Sequence, residues 1–107
     1  MGKNRKKGDE HAEAVLQALS HQLRRRIMRL LIAQGDEAIS PREASRLLDV
    51  RLSTISYHFR VLAKSRALDK TGERPVRGAV QHFYRANRTA AKMPMVTEVL
   101  AATSGSD

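Results

Sequence analysis

The sequence predicts a mainly α domain with a small β-hairpin wing, and three observations carry the prediction. Apolar residues recur at helical spacing in three segments between Glu10 and Ser65, with a helix-start signature between the second and third. From Ala67 that period stops, and Ala67–Thr71 and Ala79–Arg85 read as two strands about a stretch holding Gly72, Pro75 and Gly78. At 107 residues the chain has room for one domain of this kind.

Residues 1–9 are polar and basic and contain two glycines, which predicts a flexible arm. Ala12, Val15, Leu16 and Leu19 then place a helix over about 10–19, which Ser20 and His21 interrupt. The next helix, over 22–34, carries Leu23, Ile27, Leu30 and Leu31 on one stripe, with Arg24, Arg25 and Arg29 largely off it. Gly35 ends that helix, because glycine accepts a left-handed conformation past a helix terminus.

Ser40-Pro41-Arg42-Glu43 is the sharpest local signal in the chain. Ser40 suits the cap, Pro41 the first helical position, and Glu43 can bond back to the cap. The helix it starts runs to Leu48, Asp49 and Val50 turn the chain, and a further helix covers 52–65. Leu52, Ile55, Phe59 and Leu62 should face the core, which leaves Ser53, Thr54, Tyr57, Arg60 and Lys64 on the other side. The strands and the basic loop over 72–78 form the hairpin, and Pro94 starts a last helix with Val96, Val99 and Leu100 as its apolar face. Residues 10–102 thus make one domain and 103–107 a tail.

The formal charge is +9, and its distribution matters more than its size. Residues 51–88 hold Arg51, Arg60, Lys64, Arg66, Lys70, Arg74, Arg77, Arg85 and Arg88 against only Asp69 and Glu73. A basic surplus gathered in one continuous segment suits a polyanion, since each neutralised phosphate releases condensed counterions.

Other classes find little support. Cysteine is absent, which removes disulfides, thiolate metal sites and cysteine nucleophiles. His11, His21, His58 and His82 are scattered without an i, i+4 pair, so no metal is expected. Ser56 and His58 would project about 200° apart on a helix and cannot act as nucleophile and base. No Gly-rich phosphate loop or paired-carboxylate motif appears, so neither an enzyme nor a cofactor is expected. No apolar run approaches a membrane span, and a cytoplasmic protein is expected.

A short helix, a tight turn and a second helix make the arrangement that lays the second helix in the major groove of DNA, and the hairpin makes it a winged helix-turn-helix. Ser53, Thr54 and Tyr57 have the hydroxyls and reach for base edges, with Arg51 and Arg60 for phosphates or a guanine. Ser56, His58 and Lys64 are further contact candidates on that helix, and Arg42 on the helix before it. Lys70, Arg74 and Arg77 of the hairpin would lie along the flanking backbone or minor groove. A nonspecific DNA- or RNA-binding module shares the charge, and a winged-helix protein-interaction domain shares the fold.

Ala18-Leu19-Ser20-His21-Gln22-Leu23-Arg24, with Ile27 and Leu30-Leu31, resembles the opening of the ArsR-type winged-helix repressors. The string from Ser53 to Leu62 is similar to that family's recognition helix, and Arg77-Gly78-Ala79 through Phe83-Tyr84-Arg85 resembles the returning strand of its wing. The resemblance covers about residues 12–88. It implies a homodimer joined through the first and last helices, binding an imperfect palindrome in a promoter. Three departures stand out: Arg51 occupies the usual Ser or Asn cap, Asp49 replaces a frequent Gly, and the metal-sensing ligands are missing. The family's usual inducer therefore does not transfer.

Overall fold

The computed structural model describes residues 7–105. The first six residues of the expected arm lie outside that range, as do the last two of the tail. The elements are α1 (Lys7–Ala18), α2 (Gln22–Gln34), α3 (Pro41–Leu48), α4 (Leu52–Lys64), β1 (Leu68–Val76), β2 (Ala79–Ala86), α5 (Arg88–Lys92) and α6 (Pro94–Thr103). The first helix begins at Lys7 rather than near Glu10, with Asp9 and Glu10 in its first turn, where carboxylates complement the helix dipole.

The core gathers one stripe from each long helix: Val15 and Leu19 around α1, Ile27, Met28 and Leu31 of α2, and Ile55, Phe59 and Leu62 of α4. Phe59 is fully buried and meets Tyr84 of β2 edge to face, with ring centroids 5.2 Å apart. Leu52, expected inside, is only half-buried, because it stands at the first turn of α4 where the helix leaves the core. α6 packs on α1, and its Val96 and Leu100 close the far side of the core.

The arginines of α2 act on the ends of other helices. A helix terminus leaves its last carbonyls without intrahelical donors. Arg24 Nε donates to the Ala18 carbonyl and Arg25 Nη1 to that of Leu19 at 3.0 Å, at the end of α1. Arg26 Nη2 reaches Leu48 at the end of α3, at 3.3 Å. Arg29 Nη2 donates to the Leu100 carbonyl at 2.8 Å and to Thr103 Oγ1 at 2.7 Å, in the last turns of α6. One helix thus carries the cationic groups that complete three others.

The wing differs from its expected outline. The strands pair antiparallel from Leu68↔Ala86 to Val76↔Ala79, so most of the anticipated loop is strand and only Arg77 and Gly78 turn the chain. Both have positive φ, 49° and 82°, as a type I′ hairpin turn requires. Pro75 is tolerated because β1 has β2 as its single neighbour in a two-stranded sheet, and an edge strand does not need every N–H. The register slips at Thr71, whose hydroxyl donates to the Phe83 carbonyl at 3.3 Å. After β2, Asn87 caps α5 by accepting from the Ala90 amide at 2.8 Å.

Candidate nucleic-acid interface

Two local devices set the geometry of α3 and α4. Ser40 Oγ accepts from the Glu43 amide at 3.2 Å, with Pro41 in the first turn, as the local sequence predicts. Just before the cap, Ile39 and Tyr84 exchange two backbone hydrogen bonds of 2.9 Å, which ties the start of α3 to the wing. At the other end Asp49 takes the left-handed conformation, φ 55° and ψ 51°. The Val50 amide donates back to the Ser45 carbonyl, and Ser45 Oγ to the Val50 carbonyl. The turn therefore works without glycine, because side-chain and backbone bonds hold it.

Arg51 stands at the cap position of α4 and makes no capping bond there; its side chain is exposed. From that point α4 divides as its period requires. Ile55, Phe59 and Leu62 are fully buried, while Ser53, Tyr57, Arg60 and Lys64 are exposed and Thr54 and Ser56 half-exposed. Tyr57 keeps 52% of its surface accessible, which fixes it outside the core.

His58 does not join that outer flank. It is 5% exposed, on the side of α4 that meets α2, and Arg24 Nη1 donates to its Nδ1 at 3.1 Å. The expected contact role is thereby corrected: a ring enclosed by α2 and the α1–α2 turn presents no edge to a ligand outside. Burial first, and then electrostatic repulsion from the neighbouring His21 and Arg24, hold its pKa below the ordinary imidazole value. The sequence signal for an inner His58 is weak, since the arginine that engages it lies 34 residues away.

The remaining basic candidates sit on or beside the wing. Arg42, Ser56 and Arg77 line one cleft between α3, α4 and the hairpin, together with Leu52, Val80 and Gln81. Gln81 was not anticipated there; it reaches the cleft because β2 starts at Ala79 directly after the tight turn. Arg74 stacks its guanidinium over Phe83, 5.2 Å from the ring centroid, which directs it along the wing. Lys70 pairs with Glu73 at 3.4 Å, both half-exposed, a contact worth at most about 1 kcal/mol and easily exchanged for another anion. Among the described residues, no group of three His, Asp or Glu could hold a metal ion, and no helix is long and apolar enough to cross a membrane.

A family model described as a helix-turn-helix domain matches residues 19–71, from the end of α1 through the first residues of the wing. Over those residues the chain is a helix-turn-helix domain, and its overall fold is that of the winged helix-turn-helix regulators. Reduced HlyU from Vibrio cholerae superposes with a TM-score of 0.62 at 18% identity, covering 98% of this chain and 96% of that one. A possible transcriptional regulator from Methanosarcina mazei gives 0.64 at 14% identity, over 88% of this chain and 79% of its own. The transcriptional regulator HlyU from Vibrio vulnificus gives 0.57 at 16% identity, over 96% and 94%. At these identities the likeness is one of fold. No curated protein sequence matches this regulator. The family is one of DNA-binding proteins, not enzymes, and α3, the turn and α4 are its helix-turn-helix.

Proposed function

We propose that the protein is a sequence-specific repressor that binds duplex DNA as a homodimer, with α4 in the major groove and the wing along the flanking backbone or minor groove. The observation that carries this reading is the division of α4. Ile55, Phe59 and Leu62 are fully buried, while Tyr57 and Arg60 stand free of the core on a flank of hydroxyl and cationic groups. A groove of B-DNA admits such a helix and offers a distinct pattern of donors, acceptors and methyl groups at each base pair. Ser53, Thr54, Ser56 and Tyr57 supply the short-range polar contacts, and Arg42, Arg51, Arg60, Lys64, Lys70, Arg74 and Arg77 the phosphate contacts.

The dimer forms through α1 and α6, two helices that pack against each other. Met95 on α6 is 50% exposed, as an apolar side chain is when its cover is a second copy. Two α4 helices about 34–36 Å apart then meet successive major grooves of an imperfect palindrome. Bound across a promoter in the cytoplasm, such a dimer would exclude the polymerase. Selection of bound duplexes from a random pool tests the reading. It should return inverted half-sites with centres about one helical turn apart, and enrichment without inverted symmetry would refute the dimeric operator complex.

A further inference from the structure

We propose that Arg24 and His58 are positioning residues for the outer flank of α4, and that a proton on His58 Nδ1 releases that flank and weakens DNA binding. The inference rests on the DNA-binding reading above and adds a regulatory property to it.

The contacts form a chain from the end of α1 to the surface of α4. Arg24 Nε donates to the Ala18 carbonyl while its Nη1 donates to His58 Nδ1. A guanidinium has only donors, so Nδ1 must be the acceptor and the His58 ring neutral. The edge of the His58 ring meets the next side chain, Tyr57, with centroids 5.1 Å apart and planes at 68°. His21 packs on the other side, with centroids 4.4 Å apart, and its own Nδ1 accepts from the Leu23 amide to cap α2. A buried imidazole thus carries the position of α2 to an exposed tyrosine.

A proton at Nδ1 cannot be accommodated in this arrangement. It sets an N–H against the Arg24 N–H and one cation against another, in a site where water is scarce. The groups acting on His58 are Arg24 from α2, His21 from the α1–α2 turn, and Tyr57 as its own neighbour on α4. Among the described residues, the charges that act on it are those of His21 and Arg24 and no carboxylate, although α1, α3 and β1 carry Asp9, Glu10, Glu13, Glu43 and Asp69. The lowered pKa of His58 has the same origin. The protonated ring must swing away from Arg24, and Tyr57 follows.

The direction of the effect separates this device from simple charge. Added protons make a basic protein more cationic and by themselves tighten phosphate binding. A released α4 weakens it. His58→Asn keeps a neutral acceptor near the position of Nδ1 and cannot be protonated. Affinity for a selected duplex, measured at fixed salt at about pH 8 and about pH 5.5, should be alike for the two proteins at the higher value. At the lower value the wild type should bind at least about fivefold more weakly than the variant. Equal affinities at the lower pH overturn the proposal.

A second measurement needs no variant and no DNA. In the free wild-type protein, NMR titration of the His58 ring should coincide with a shift of the Tyr57 ring and faster amide exchange in α4. Titration that leaves both unchanged also overturns the proposal. Absence of duplex binding at either pH removes the DNA reading instead, and the titration still decides whether His58 releases α4.

Discussion

His11 Nε2 donates to the carbonyl oxygen of Arg66 at 2.8 Å, joining α1 to the turn that ends α4 across 55 residues of chain. That turn is a Schellman motif: the Arg66 amide donates to the Ala63 carbonyl and the Ala67 amide to that of Leu62, at 3.0 and 2.9 Å. Arg66 fills the position glycine usually takes, at φ 64°. A non-glycine residue there costs about 1–2 kcal/mol, from which the extra chain entropy of glycine, roughly 0.5–1 kcal/mol, must be subtracted. Arg66→Gly should therefore raise stability by about 0.5–1 kcal/mol in urea unfolding. A lowered midpoint would mean that the arginine side chain stabilises the turn by more than its backbone strains it.

Arg29 serves α6 as His11 serves the end of α4. Replacing it by Met keeps the packing of the stem but removes the donors to Leu100 and Thr103. Hydrogen bonds from a charged donor contribute about 1.5–3 kcal/mol, so Arg29→Met should destabilise by that order. The loss should appear first as faster amide exchange in the last turns of α6. Unchanged protection there would assign the effect to α2 itself.

These two contacts also mark the limit of what the chain reveals before it is folded. The stripe Ile55, Phe59, Leu62 was legible because periodicity is a local property, and so was the Ser40 cap. Arg24, Arg25 and Arg29 read only as residues off the apolar stripe, because nothing within α2 shows that three other helices end against its arginines. Tertiary contact alone gives them partners. The wing is longer than its local sequence implies because Pro75 and Gly72 are loop signals in general, and an unpaired strand edge relaxes the rule. His58 is hidden for the same reason as the arginines: its neighbours Tyr57 and Phe59 fix the helix, but Arg24 and His21, both distant in the sequence, enclose the ring.

The buried neutral His58 also gives stability a pH dependence, apart from any effect on DNA. Its folded pKa lies below the ordinary value of 6.5, so between the two values the unfolded chain binds the extra proton. Stability contributed by the neutral ring is present above 6.5 and is lost as pH falls through the folded value. Urea midpoints should accordingly decline on acidification through this range, and more steeply for the wild type than for His58→Asn. Parallel curves for the two proteins would assign the decline to other groups.

Phosphate contacts and base contacts should separate in binding experiments. Arg60 is exposed on α4, and its loss should weaken binding to all duplexes alike. Arg60→Ala should lower the log–log salt slope by about 1, the loss of one released counterion. Ser53 carries no charge, so Ser53→Ala should leave the slope intact and change the ranking of sequences in a selection. A uniform loss for Ser53→Ala, with unchanged ranking, would place it on the backbone instead.

The wing tip sets stability against binding at a single residue. Arg77 is held at φ 49° beside Gly78 at 82°, in a turn that strongly prefers Asn-Gly. Arginine gains nothing from that conformation, yet it lines the cleft shared by Arg42 and Ser56, where a cation can meet a phosphate. Arg77→Asn should relax the turn and leave the thermal midpoint unchanged or slightly raised, since asparagine tolerates the left-handed region better. The same change should weaken duplex binding and lower the salt slope by about 1. Binding should therefore fall while stability does not. A variant that is both less stable and weaker in binding would mean that Arg77 holds the hairpin together, and that the tip reaches DNA only through the fold it supports.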